Sequence, residues 1–266
     1  MINNTPLSHI KELAEYIALQ YNEKKITPVD KIAEDEGLKL FYDGYESGTF
    51  DGMTVYLNRK FYVHLNVDNG NKKDSTRGRF TLAHELGHYF IDAHRVGLQK
   101  GILVPHSSYT NKKQFDAIER EADYFASCLL MPESRFKSDV FRKKFSFDLI
   151  QNLSEQYGVS ITACAFRFAQ IGNHPIMIVY AVNGIVKWKL ESDDFPYKWL
   201  LNDKKIPENT VMGEYFSKSN VRDIYKTEKV WAMDWFNYVK DYDINRSFNE
   251  HCIPYKNKAL SIIWEP

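Results

Sequence analysis

The segment FTLAHELGHYF, residues 80–90, contains His84, Glu85 and His88 in the order H-E-x-x-H. Four residues of α-helix turn through about 400°, so the two histidines lie about 40° apart on one face, one turn above the other. Two imidazoles placed this way can converge on one cation. A zinc ion held by neutral nitrogen and carboxylate ligands lowers the pKa of a bound water to about 7. Glu85, beside the first histidine, is then the base that takes a proton from the attacking water and returns it to a leaving amine. The pattern also arises by chance, and an amphipathic helix with two surface histidines needs no metal. Two features favour the metal. Leu82, Ala83, Leu86, Tyr89, Phe90 and Ile91 make the helix apolar over much of its circumference. The histidines and the glutamate are therefore expected to be buried together, which is costly unless they bind something. Gly87 in mid-helix costs about 1 kcal/mol against alanine and points to a close neighbour on that side.

A third protein ligand has two candidates. His94 has the spacing of H-E-x-x-H-x-x-G-x-x-H, but Ile91 stands where that pattern has the glycine that turns the chain back. On an uninterrupted helix His94 points roughly 120° away from His88 and is expected at the surface near a helix end. The other candidate lies in AIEREADYFASCLLMP, where Ile118, Ala122, Phe125, Ala126 and Leu129 form an apolar stripe. Glu119 and Asp123, four residues apart, border that stripe beside small alanines that permit close helix packing. This suits Glu119 as a metal ligand and Asp123 as the carboxylate that orients a ligand histidine through its other ring nitrogen. Glu121 points elsewhere, as a solvated or structural carboxylate.

RFTLAHELGHYF followed by EREADYFASCLLMP resembles the ImmA/IrrE metallo-endopeptidases, in which H-E-x-x-H precedes an E-x-x-A-[DN]-x-F-A-x-x-L-L-M-P helix. The second motif reads here Glu119, Ala122, Asp123, Phe125, Ala126, Leu129, Leu130, Met131 and Pro132. The resemblance covers about residues 27–132 most strongly. It implies zinc bound by His84, His88 and Glu119, Glu85 as general base, and a gluzincin-like catalytic fold. It also implies a partner, since such enzymes commonly cleave or inactivate a helix-turn-helix repressor, and some are suspected toxin–antitoxin components. No DNA-binding segment precedes the peptidase helices, so a repressor or antitoxin substrate is expected as a separate chain.

Several elements must position these residues. The periodicity predicts a helix from Ser8 to about Glu23, and a second from a Thr27 cap with Pro28 at its first turn to Gly37. LKLFYDG, GMTVYLN and FYVHLNVD read as strands, the last two as a hairpin around Asn58-Arg59-Lys60. Asp74, Ser75 or Thr76 caps the motif helix. A connection from about Arg95 to Gln114 lacks periodicity, and His106 and Tyr109 within it are candidate oxyanion donors by residue type. After Pro132 comes a basic helical stretch, then a helix-turn-helix-like pair with a Gly-Val-Ser turn. Six basic residues (Arg135, Lys137, Arg142, Lys143, Lys144, Arg167) face four acidic ones (Glu133, Asp139, Asp148, Glu155). The second helix of the pair is heavily apolar, so packing is favoured over DNA binding. Around Asn183-Gly184, PIMIVYAVNGIVKWKL reads as a hairpin, and ALSIIW as a final strand. The expected class is α+β: a zincin-like peptidase domain over 1–132, a helical segment over 133–174, and a strand-containing domain over 175–266. Its five tryptophans are expected mostly in the core.

Composition bounds the function. Lys plus Arg and Asp plus Glu both number 35, so no net field points to nucleic acid or membrane. No signal peptide is read at the start, and the longest apolar stretch, PIMIVYAV, is too short to span a bilayer. Cys128, Cys164 and Cys252 are widely spaced and read as reduced residues of a cytoplasmic protein, with Cys128 and Cys164, in apolar helical patterns, as small core residues. The expected function is a zinc-dependent endopeptidase of narrow specificity. The alternative is a non-proteolytic regulator or toxin–antitoxin component that binds a repressor or DNA.

Overall fold

The computed structural model describes residues 5–21, 25–103, 117–201, 204–217 and 226–266. Two compact units emerge, Met1–Ser138 with Asn152–Ala163, and Asp139–Gln151 with Cys164–Pro266. His106 and Tyr109 lie outside the described residues.

The first unit contains helices α1 (Leu7–Gln20) and α2 (Val29–Asp35), strands β1 (Lys39–Asp43), β2 (Gly52–Leu57) and β3 (Lys60–Asn66), and helices α3 (Thr76–Phe90), α4 (Asp92–Gln99), α5 (Ala117–Leu130) and α6 (Glu133–Val140). Pro6, not Ser8, opens α1; its carbonyl accepts from the His9 and Ile10 amides. Thr27 does not cap α2. Its hydroxyl donates instead to the Leu129 carbonyl at 3.0 Å, which satisfies one of the acceptors left over at the end of α5. The expected stop at Gly37 is met by a Schellman arrangement, with Gly37 N–H on Glu34 O and Leu38 N–H on Ala33 O, both 2.9 Å.

The sheet has the order β1-β3-β2. Strands β2 and β3 are antiparallel, and Asn58 and Arg59 between them have φ of 51° and 59°, as a type I′ turn requires. Strand β1 adds parallel to β3. Phe61, Val63 and Leu65 of β3, with Gly52 and Thr54 of β2, form the buried face, against which α3 lies. On its other side α3 packs on α5, and α5 on α1. Arg79 of α3, buried, donates to the carbonyls of Gly158 and Thr27, both at 3.0 Å, and so ties the motif helix to two distant segments. The connection expected after Arg95 begins as helix: α4 runs to Gln99 and buries His94, Gly97 and Leu98.

Helices α7 (Phe147–Tyr157) and α8 (Ile161–Ile171) follow. On α8, Cys164, Ala165, Arg167, Phe168 and Ala169 are buried and only Gln170 is exposed, so this helix has few polar side chains to offer a DNA groove.

The second unit is built on strands β4 (Ile176–Val182), β5 (Ile185–Glu191), β6 (Lys226–Trp231), β7 (Ser247–Tyr255) and β8 (Lys258–Trp264), with helices α9 (Val211–Ser217) and α10 (Ala232–Trp235). The sheet is antiparallel, in the order β5-β4-β8-β7-β6. Its Asn183-Gly184 turn joins β4 to β5, as expected. Met177, Val179, Phe195, Trp235, Phe236, Phe248 and Ile263 form one core. Trp235 and Trp264 are core residues, whereas Trp199 and Trp231 are 62% and 41% exposed. The expectation of mostly buried tryptophans fails at these two.

Candidate metal centre

The chemistry begins with the burial of α3. Ser75 caps the helix, its hydroxyl accepting from the Gly78 amide at 2.9 Å. From Thr81 to His88 every side chain is buried. Packing on α5 on one side and on the sheet on the other leaves this stretch no polar solvent-facing stripe.

His84 and His88 present Nε2 atoms 3.2 Å apart. Glu119 of α5 reaches both: Oε2 lies 3.3 Å from His84 Nε2 and Oε1 lies 3.3 Å from His88 Nε2. Among the described residues this is the group whose donor atoms could hold one metal ion. The spacing tests the fit. Ligand atoms about 2.0–2.1 Å from a tetrahedral zinc are separated by about 1.6 times that distance, or about 3.3 Å. Nitrogen, nitrogen and carboxylate oxygen are also the donor chemistry of a catalytic zinc. The side chains are 4%, 3% and 18% exposed, so the cluster opens to solvent mainly past Glu119.

Asp123, one turn after Glu119, places Oδ1 2.8 Å from His84 Nδ1. Donation from Nδ1–H to this carboxylate fixes the tautomer that leaves Nε2 with its lone pair toward the cluster. Burial opposes charge on His84. Its hydrogen bonds to Asp123 and Glu119, with the charges of Asp123 and Glu85, outweigh that penalty and hold the imidazole well above the ordinary histidine value. A cation must therefore displace a proton to bind.

Glu85 is fully buried. Its Oε2 accepts from the Thr54 hydroxyl of β2 at 2.7 Å, and that hydroxyl also lies 3.3 Å from the Glu85 carbonyl oxygen. Oε1 has no hydrogen-bond partner among the described residues. Close approach by glycine shapes both sides of this helix. A Cβ on Gly52 of β2 would lie 2.5 Å from Glu85 Oε1, and one on Gly87 would lie 3.1 Å from Ala122 Cα. The close neighbour anticipated at Gly87 is thus the backbone of α5.

His94 is not a surface residue. It is fully buried, with Nε2 3.0 Å from Glu121 Oε2 and its ring 5.2 Å from that of His88. Ile91 adopts an extended conformation (φ −71°, ψ 112°) that ends α3, and α4 starts anew, so the 100° phase counted from His88 does not carry through. Glu121 takes the structural role: its other oxygen accepts from the Thr5 amide at 3.0 Å. His94 faces this carboxylate and lies outside the group formed by His84, His88 and Glu119. Sequence reasoning also missed Thr54 and Gly52. Their only local signal is a glycine and a β-branched hydroxyl residue alternating on the inward face of a strand.

Residues 55–169 match the profile of the IrrE N-terminal-like domain, Peptidase_M78, a stretch that holds both motifs. That region is therefore similar to the IrrE N-terminal-like peptidase domain. No curated protein matches the chain. Among solved structures the fold is shared with one titled "Mycobacterium tuberculosis transcriptional regulator", at 14% identity and a TM-score of 0.62, over 97% of this chain and 76% of that one. At that identity the likeness speaks for the fold alone. No helix among the described residues is long and apolar enough to cross a membrane.

Proposed function

We propose that the chain is a zinc-dependent endopeptidase of narrow specificity, acting on a separately encoded helix-turn-helix repressor or antitoxin-type regulator. The observation that carries the reading is the convergence of His84 Nε2, His88 Nε2 and the Glu119 carboxylate at 3.2–3.3 Å spacing. These three residues would hold the metal, which when bound supplies Lewis acidity and a water of pKa about 7. Asp123 keeps His84 in the tautomer that leaves Nε2 free as a ligand. Glu85 receives the proton of the attacking water at Oε1 and passes it to the departing amine nitrogen. Among the described residues β2 pairs only with β3, so its outer edge offers main-chain groups to an extended peptide running past Glu85. Burial of the donor cluster restricts entry and fits narrow specificity.

The substrate class rests on the ImmA/IrrE resemblance. A solved relative titled a transcriptional regulator keeps a second reading in view, a regulator that grips a repressor or DNA without cutting it. One experiment separates them. The zinc-loaded chain is incubated with candidate helix-turn-helix proteins from its own genome, and products are read by intact mass. The peptidase reading expects two fragments from wild type and none with Glu85→Gln. An uncut partner together with full biological effect of Glu85→Gln would favour the regulator.

A further inference from the structure

We infer that Thr54 is a positioning residue for the Glu85 carboxylate, and that Gly52, two residues earlier on the same face of β2, keeps open the space its second oxygen needs. This rests on the peptidase reading above and deepens it. Glu85 sits in a place with 0% exposure, where water cannot hold its carboxylate in one rotamer. Among the described residues its one side-chain hydrogen bond is the 2.7 Å contact from Thr54 Oγ1 to Oε2. Thr54 is itself 4% exposed, and β-branching restricts its χ1, so the donor is fixed in direction. The hydroxyl proton has a second acceptor, the Glu85 carbonyl at 3.3 Å, but the carboxylate oxygen at 2.7 Å is the nearer.

The result is a carboxylate with two unlike oxygens. Oε2 is occupied by Thr54, and Oε1 is without a partner among the described residues. A proton acceptor needs one free oxygen, and the strand supplies the asymmetry. Gly52 completes it, because a Cβ there would lie 2.5 Å from Oε1 and 2.9 Å from Glu85 Cγ. Any side chain at 52 would drive the carboxylate out of this position.

The test uses acetohydroxamate on the zinc-loaded full chain. A hydroxamate chelates zinc through two oxygens and gives a proton to a neighbouring carboxylate, so its affinity reads the placement of Glu85 without a substrate. Zinc affinity is measured separately. Thr54→Val keeps the shape of the side chain and removes the donor; it is expected to weaken acetohydroxamate about tenfold, the scale of a lost hydrogen bond to a charged group. Zinc affinity and melting temperature should stay near wild type, and Thr54→Ser should restore hydroxamate affinity. Gly52→Ala should lose hydroxamate affinity while still binding zinc. Hydroxamate binding unchanged in Thr54→Val, or a loss that Thr54→Ser does not repair, overturns the inference and leaves the metal reading standing. A wild type that takes up no zinc overturns both.

Discussion

Replacing Asp123 with asparagine should weaken zinc binding while leaving the fold intact. The substitution keeps an oxygen acceptor opposite His84 Nδ1 at the observed 2.8 Å and removes only the charge. Carboxylates that orient a ligand histidine contribute roughly 10- to 100-fold to metal affinity. The Asp123 side chain is 52% exposed, so solvent screens its charge and can replace part of the bond. The expected loss is therefore at the low end, about tenfold or about 1.4 kcal/mol, and Asp123→Ala should lose more. Two effects oppose each other, because the same carboxylate also raises the proton affinity of His84. The tenfold loss should be largest at alkaline pH, where that proton no longer competes. Competition with a zinc-binding dye at several pH values measures both. Zinc affinity within about twofold of wild type across the range would refute the orienting role.

Other outcomes follow from the same geometry. Zinc affinity should fall with acidity by as much as about tenfold per pH unit, because the metal-free site holds a proton on a His84 whose pKa is raised; dye competition giving a flat profile would contradict this. Gly87→Ala gains helix propensity of about 1 kcal/mol but puts a Cβ 3.1 Å from Ala122 Cα, so α3 and α5 should part, with a measurable loss of zinc affinity; unaltered affinity would show that the helices absorb the methyl. His251, whose pKa burial pushes down from 6.5 to about 4, should contribute stability that is complete above pH 6.5 and lost as pH falls toward 4. The loss is on the order of 3 kcal/mol, read by urea unfolding, and His251→Gln should flatten the profile.

The motif helix and its partner could be read from sequence because their apolar residues recur at the helical period and their chemically active residues, His84 and His88, Glu119 and Asp123, stand one turn apart. Both Asn-led hairpins were readable for a local reason, since few residues accept left-handed backbone at the turn. Residues whose roles depend on contacts across the chain were not. Thr27 looked like a helix cap, yet its hydroxyl goes to Leu129, 102 residues away. His94 looked exposed because a helix counted in 100° steps ignores the break at Ile91, and only tertiary packing reveals Glu121 as its partner. Thr54 reads as an ordinary inward strand residue until the sheet is laid against α3. In the second unit the strands were evident, but nothing local distinguishes exposed Trp199 from buried Trp235.

The central claim is that a carboxylate from α5 joins two histidines from α3 around one divalent ion. Metal analysis of the purified chain beside its Glu119→Ala variant addresses it most directly. Wild type should retain about one zinc per chain after dialysis, and the variant should retain little. Equal zinc in both, with both folded, would contradict the account.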